Sequence, residues 1–216
     1  ETYQRTVALL DGPAGKYAAI PEIPETGYVW AWAYLADAAY AEGRIAEAHV
    51  MVYEALRRLV GRLRAEEQRF ELAQTLLNRR PPQMAELETM ADRLTEVMRP
   101  HPDSINYLWL AEARRRLGQW AMQETVLLQV VSVAGDARDS ASLLLSGVAH
   151  LEQGQLYQRW NRKQQASEAY VRGLEAIERA GPDARDNLTR AAGRSPIDVE
   201  TLDSLIRSAK SWTAEH

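Results

Sequence analysis

The strongest constraint on this chain is a spaced set of large and small residues: Trp32, Leu35, Ala36, Ala39, Gly43, Ala48, Val52 and Ala55. Leu35 and Ala36 fall one helical turn after Trp32, and Ala39 one turn further, so these residues share one face of an α-helix. Gly43 then stands where a helix can end in a left-handed residue, a conformation open to glycine at no steric cost. Ala48, Val52 and Ala55 resume the helical spacing, with small side chains where two backbones approach. The pattern specifies two helices joined by a tight turn. It recurs in worn form at Tyr107, Leu110, Ala111 and Arg114 before Gly118, with Leu127 and Val130 after it; Gln123 stands where the first copy has Ala48. A third copy runs through Leu143, Gly147, His150 and Gly154, and resumes at Ala166, Tyr170 and Gly173.

Hairpins of about 34 residues with a large residue at the head of the first helix and a glycine at the turn are the unit of the tetratricopeptide repeat. Residues 43–59 (GRIAEAHVMVYEALRRL) and 162–177 (RKQQASEAYVRGLEAI) resemble that family, and the resemblance covers about half the chain. It implies an all-α fold of antiparallel helical hairpins stacked in a right-handed superhelix, an α-solenoid. Gly43 and Gly118 lie about two repeat lengths apart, so a degenerate hairpin is expected over residues 63–101. Its helices would be Glu66–Leu77 and Gln83–Met98, parted by Asn78–Pro82, because two consecutive prolines cannot sit inside a helix. The alternative is a single long helix from Arg44 to Leu77, since nothing stronger than Gly61 interrupts it.

Three regions follow. Residues 1–25 are a lead-in whose proline-spaced Ile20–Pro24 should lie over the first hairpin. Residues 26–181 are the repeat array of about four hairpins, with turn signals at Arg99–Asp103, Ala134–Asp136 and Ala180–Asp183. In the third clear unit the spacing of Leu156, Tyr157 and Trp160 carries the first helix past Gly154, an extension over residues 155–161 that makes this unit project. Residues 182–216 form a cap: Ser195 as N-cap, Pro196 as first helical residue and Asp198 as a capping acid, then the stripe Leu202, Leu205, Ile206, Ala209 and Trp212 or Thr213. The aromatics of Tyr28–Tyr34 alternate with period two, as in a strand, but the helical pattern that follows favours helix.

Composition narrows the function. With 46% hydrophobic and 26% charged residues there is enough apolar material for a core. A net charge of −4 argues against a broad nucleic-acid footprint. No apolar run is long enough to span a bilayer. The first residues do not read as a signal peptide and no initiator Met is present, so a removed signal or lipid anchor, or a trimmed start, would explain Glu1. The Arg- and Ala-rich composition favours a bacterial source, and the cell envelope or periplasm is favoured over the cytoplasm. Of the cationic side chains only Lys16, Lys163 and Lys210 are lysines, and the absence of Cys excludes thiolate metal sites.

No catalytic constellation is visible. His49, His101, His150 and His216 lack metal-ligand spacing, Gly12–Gly15 is not followed by the Lys-Ser or Lys-Thr of a phosphate loop and has no strand before it, and no cofactor is implied. The expected function is a non-enzymatic scaffold or adaptor, an assembly factor that binds another protein or peptide in a larger complex. In a stacked array the first helix of each hairpin lines a concave groove. That frame nominates Trp30, Asp37 and Tyr40, then Leu108, Trp109, Glu112, Arg115 and Arg116, then Leu144 and Val148. Aromatic and Arg residues are the usual hot spots of such a surface; the alternative for Trp30 and Trp109 is packing between neighbouring helices. A secondary patch is Tyr157, Arg159, Trp160, Arg162 and Lys163 at the inserted turns. Two other readings stay open: a self-assembling homo-oligomer, and a small-ligand binder or enzyme with a site lined by Tyr28, Trp32 and Tyr34.

Overall fold

A computed structural model describes residues 25–74, 83–135, 139–181 and 196–215 of the chain. All regular structure among them is helical: α1 (Glu25–Ala41), α2 (Ile45–Gln74), α3 (Gln83–Met98), α4 (Ser104–Arg116), α5 (Trp120–Gly135), α6 (Ser140–Arg159), α7 (Lys163–Ala180) and α8 (Val199–Glu215). The chain divides into two compact units, one comprising residues 1–101 with 116–118, the other 102–115 with 119–216.

In the first unit α1, α2 and α3 pack on one another. The small residues of the opening pattern are its contact surface: Ala36, Ala39, Ala48, Val52 and Ala55 are wholly buried, joined by Leu56, Leu59, Leu63, Leu87 and Leu94. Gly43 ends α1 with φ 74°. The Arg44 N–H reaches Ala39 O at 2.8 Å and the Gly43 N–H reaches Tyr40 O at 3.0 Å, which satisfies two carbonyls the helix end would orphan. Between the two expectations for residues 44–77 the structure takes the long helix: α2 runs unbroken for 30 residues, through Gly61, to Gln74. The Asn78–Pro82 break and the lead-in lie outside the described residues, whereas α3 spans the expected Gln83–Met98.

The second unit is built on α6 and α7, with α5 against α6 and α8 against both α6 and α7. Glycine makes the closest approach possible. A Cβ on Gly147 would stand 3.1 Å from Gly173 O, and one on Gly173 would stand 3.0 Å from Gly147 O. Gly154 is a packing position of the same kind, and α6 continues past it to Arg159. The left-handed residue that ends α6 is instead Asn161, with φ 56°. Its N–H reaches Gln158 O at 2.9 Å, and the Arg162 N–H reaches Tyr157 O at 2.8 Å, the same pair of bonds that closes α1. The capping acid of α8 is the expected Asp198, but the helix begins later than expected, at Val199. Pro196 and Ile197 precede the helix, and Asp198 caps it by accepting from the Thr201 N–H at 2.7 Å. Asp198 thus serves as the N-cap itself, immediately ahead of the apolar stripe.

Candidate functional site

The most distinctive surface chemistry lies where α5 begins, α6 ends and α7 begins, all within the second unit. The extra turns of α6 carry Tyr157 and Trp160 three residues apart on one side of the helix, with ring centroids 6.2 Å apart. The Asn161 turn then reverses the chain, so Arg162 follows Trp160 closely enough for its guanidinium to lie 4.9 Å from that ring's centroid. Arg159 points to the neighbouring helix and lies 4.2 Å over Trp120, the first residue of α5. Both distances are inside the range of a cation–π contact. Trp120, Tyr157 and Trp160 are half-buried, while Arg159, Arg162 and Lys163 are exposed. Among the described residues none of these three cations forms an ion pair. Burial raises the Tyr157 phenol above its ordinary pKa, and its hydrogen bond to Glu124 adds to that shift. Glu124 is thus engaged by the phenol at the margin of the cluster. Of the secondary patch, Tyr157, Trp160 and Arg162 are therefore brought into contact, Arg159 is held on Trp120, and Lys163 follows Arg162 in sequence. Trp120 is an addition that sequence spacing could not supply, since its partner is on another helix.

No family model matches this chain, and no curated protein or solved structure matches it.

The groove candidates fall in both units and have varied surroundings. Tyr40, Leu108, Trp109, Glu112, Leu144 and Val148 are buried. The sequence frame set them on an open face, whereas the structure places them in the interior. Tyr40 stacks on His101 at 4.8 Å and meets His49 edge-on at 5.8 Å. Glu112 receives a two-pronged bond from Arg115, Nε to Oε2 at 2.7 Å and Nη2 to Oε1 at 2.9 Å. Arg116 pairs with Glu67, and exposed Asp37 pairs with Arg93. Trp30 is half-buried and stacks on exposed Tyr34 at 6.3 Å. Trp32 lies under Arg58, 5.2 Å from its ring, with its indole nitrogen buried and lacking a hydrogen-bond partner, while Tyr34 faces solvent.

Two further features of the second unit have no counterpart in the sequence reading. A cleft of about 510 Å³ is lined by Leu144, Leu174, Ile177 and Ile206, with Glu178 and Lys210 also in its wall. Separately, Glu152 on α6 has its carboxyl enclosed beside Glu112 and Arg115 of α4 and accepts from Gln123 of α5. Burial first, and the neighbouring Glu112 charge second, push its pKa up to about 7. His150, two residues away on the same helix, is held below its ordinary value by burial and bonds Gln153 at 3.0 Å. Among the described residues no group of three His, Cys, Asp or Glu side chains could hold a metal ion. Among the described residues no helix is long and apolar enough to cross a membrane.

Proposed function

We propose that this chain is a non-enzymatic scaffold of tetratricopeptide-like helical hairpins that binds another protein. The repeat reading is supported by the turns at Gly43 and Asn161, which close their helices with the same pair of backbone bonds, and by Gly118, left-handed at φ 70° before a Gln119 N–H to Arg114 O bond of 2.9 Å. The α-solenoid arrangement of such hairpins, and a role as adaptor in a larger assembly, belong to this proposal.

The observation that carries the binding role is the cluster of Trp120, Tyr157, Arg159, Trp160, Arg162 and Lys163. Indole and guanidinium groups are the side chains on which interface energy concentrates, and here they are held in fixed geometry with their polar edges open to solvent. Because rings and cations already hold one another, a partner meets less entropic cost in ordering them. The decisive experiment is purification of a stoichiometric partner from source extract, followed by reconstitution from purified components. The complex should form with the parent chain and fail with Trp120→Ala combined with Arg159→Glu. A reconstituted complex that is indifferent to the double variant would remove the cluster from the binding role, and failure to obtain any stoichiometric partner would overturn the scaffold reading.

A further inference from the structure

We infer that the cluster at the α6–α7 turn is a docking site for an acidic segment of a partner protein, whose carboxylates bridge Arg159, Arg162 and Lys163 above the indoles of Trp120 and Trp160. The inference rests on the protein-binding reading above and adds the chemistry of the partner.

Three observations carry it. The first is a contrast in pairing. The chain has 30 acidic against 26 basic residues, and several of its arginines find carboxylates of their own: Arg44 with Glu42 and Glu47, Arg57 and Arg58 with Glu54, Arg93 with Asp37, and, in the same unit as the cluster, Arg115 with Glu112. Here three cations close in sequence make no ion pair among the described residues, and Glu124, the acid at the margin, is engaged by the Tyr157 phenol, so a concentrated positive charge is left unspent. The second is orientation. A guanidinium lying over an indole face keeps its N–H edge free for a two-pronged bond to a carboxylate, which an ammonium cannot make. Arg159 and Arg162 are both placed so, at 4.2 and 4.9 Å from their ring centroids. The third is the half-buried state of the aromatic floor. Charge pairs that form against it are less screened than pairs in open water, and the methylene groups of an acidic side chain gain an apolar surface.

An acidic peptide is favoured over a nucleic acid by the chain's net charge of −4, which repels a long polyanion beyond the reach of three cations. A short acidic stretch engages those cations without bringing further charge against the rest of the surface.

The test uses the full chain and a fluorescein-labelled oligoglutamate long enough to span the three cations, read by fluorescence anisotropy. An oligothymidylate of equal charge runs in parallel, and sedimentation velocity monitors self-association. The oligoglutamate should bind, and should weaken as the screening length falls to about 8 Å at physiological ionic strength. Arg159→Gln with Arg162→Gln should weaken it by at least about tenfold, whereas Arg179→Gln with Arg207→Gln, which removes equal charge from exposed positions elsewhere in the unit, should change it less than about twofold. Arg159→Lys with Arg162→Lys keeps the charge and should fall between the two. Equal weakening by both Gln pairs, tighter binding of the oligothymidylate, absence of oligoglutamate binding, or self-association abolished by the Arg159→Gln pair would each overturn the inference. A reconstituted protein complex that needs the cluster but is not competed by oligoglutamate would leave the scaffold reading standing and sink the acidic one. Cluster-dependent oligoglutamate binding with no stoichiometric protein partner would do the reverse.

Discussion

Tyr170 occupies the space that a side chain at Gly154 would need: a Cβ there would stand 2.4 Å from both Cδ1 and Cε1 of its ring. The ring cannot move aside. Tyr170 is wholly buried, its hydroxyl donates to Gln158 Oε1 at 2.9 Å, and the Trp212 ring lies 6.3 Å away, itself tied by its indole N–H to Ser167 Oγ at 3.1 Å. Gly154→Ala therefore forces α6 and α7 apart and should lower stability by about 1–3 kcal/mol, the usual cost of overpacking. Gly61→Ala makes the same chemical change in α2, where a Cβ would meet nothing within 4 Å, and should raise stability by about 0.5–1 kcal/mol through helix propensity. Urea midpoints at constant slope measure both. Equal effects of the two substitutions would show that the α6–α7 contact yields.

Asn161 supplies the left-handed residue that Gly43 and Gly118 supply elsewhere. Asn161→Gly removes a steric penalty while keeping the backbone bonds and should be neutral or slightly stabilising. Asn161→Ala places an ordinary side chain at φ 56° and should cost about 1 kcal/mol. Thermal unfolding of the two variants side by side checks the ordering; a more stable alanine variant would mean that the turn relaxes out of the left-handed region.

How much of this was legible in the sequence depended on whether the signal was local. The hairpin of α1 and α2 was readable from Trp32 to Ala55 because helix periodicity, small contact residues and Gly43 all pointed to one arrangement. The extension of α6 beyond Gly154 was readable from the spacing of Leu156, Tyr157 and Trp160, although Asn161 went unnoticed as the residue able to end it. Gly154 taken alone misleads, because glycine serves both turns and close packing, and only the ring of Tyr170 on another helix distinguishes the two. The same limit governs the surface residues. Position on the first helix of a hairpin nominated Leu108 and Glu112 as groove residues, but burial depends on what packs from elsewhere. The patch around Trp160 was visible because its members are neighbours in sequence. Trp120, which completes it, was not.

The caps of α6 and α8 give a matched pair. Asp139 accepts from the Ser142 N–H at 3.0 Å and Asp198 from the Thr201 N–H at 2.7 Å. Each Asp→Ala substitution should cost about 1 kcal/mol, the typical value of an N-cap. Hydrogen bonds from Ser142 hold the Asp139 carboxyl below its ordinary pKa. Its contribution is therefore present above the unfolded value of 3.8 and is lost as pH falls through the lower folded value. Denaturation of Asp139→Ala and the parent should converge in acid. A gap that persists at the lowest pH would assign the effect to backbone geometry instead of the cap.

Glu152 imposes the opposite pH dependence. Its carboxyl titrates at about 7 in the folded chain against an ordinary 4.5, so the folded state holds its proton more tightly than the unfolded state does. Stability from this group is complete below about pH 4.5 and is lost as pH rises through about 7, at most roughly 3 kcal/mol across the window. His150 works against it. With its folded pKa lowered, it favours the fold above the ordinary value of 6.5 and loses that contribution as pH falls. The two trends overlap, so the parent's own pH profile cannot separate them. Glu152→Gln replaces the protonated acid with a neutral side chain of similar shape. It removes only the Glu152 component, leaving the His150 trend exposed. The variant should be more stable than the parent at pH 8 and no more stable at pH 5, as read from urea midpoints at both. Ionised Glu152 faces the Glu112 charge from α4, so the gain at pH 8 reports relief of that repulsion as well as of burial. A variant that tracks the parent at both pH values would show that Glu152 stays ionised and solvated in the folded chain.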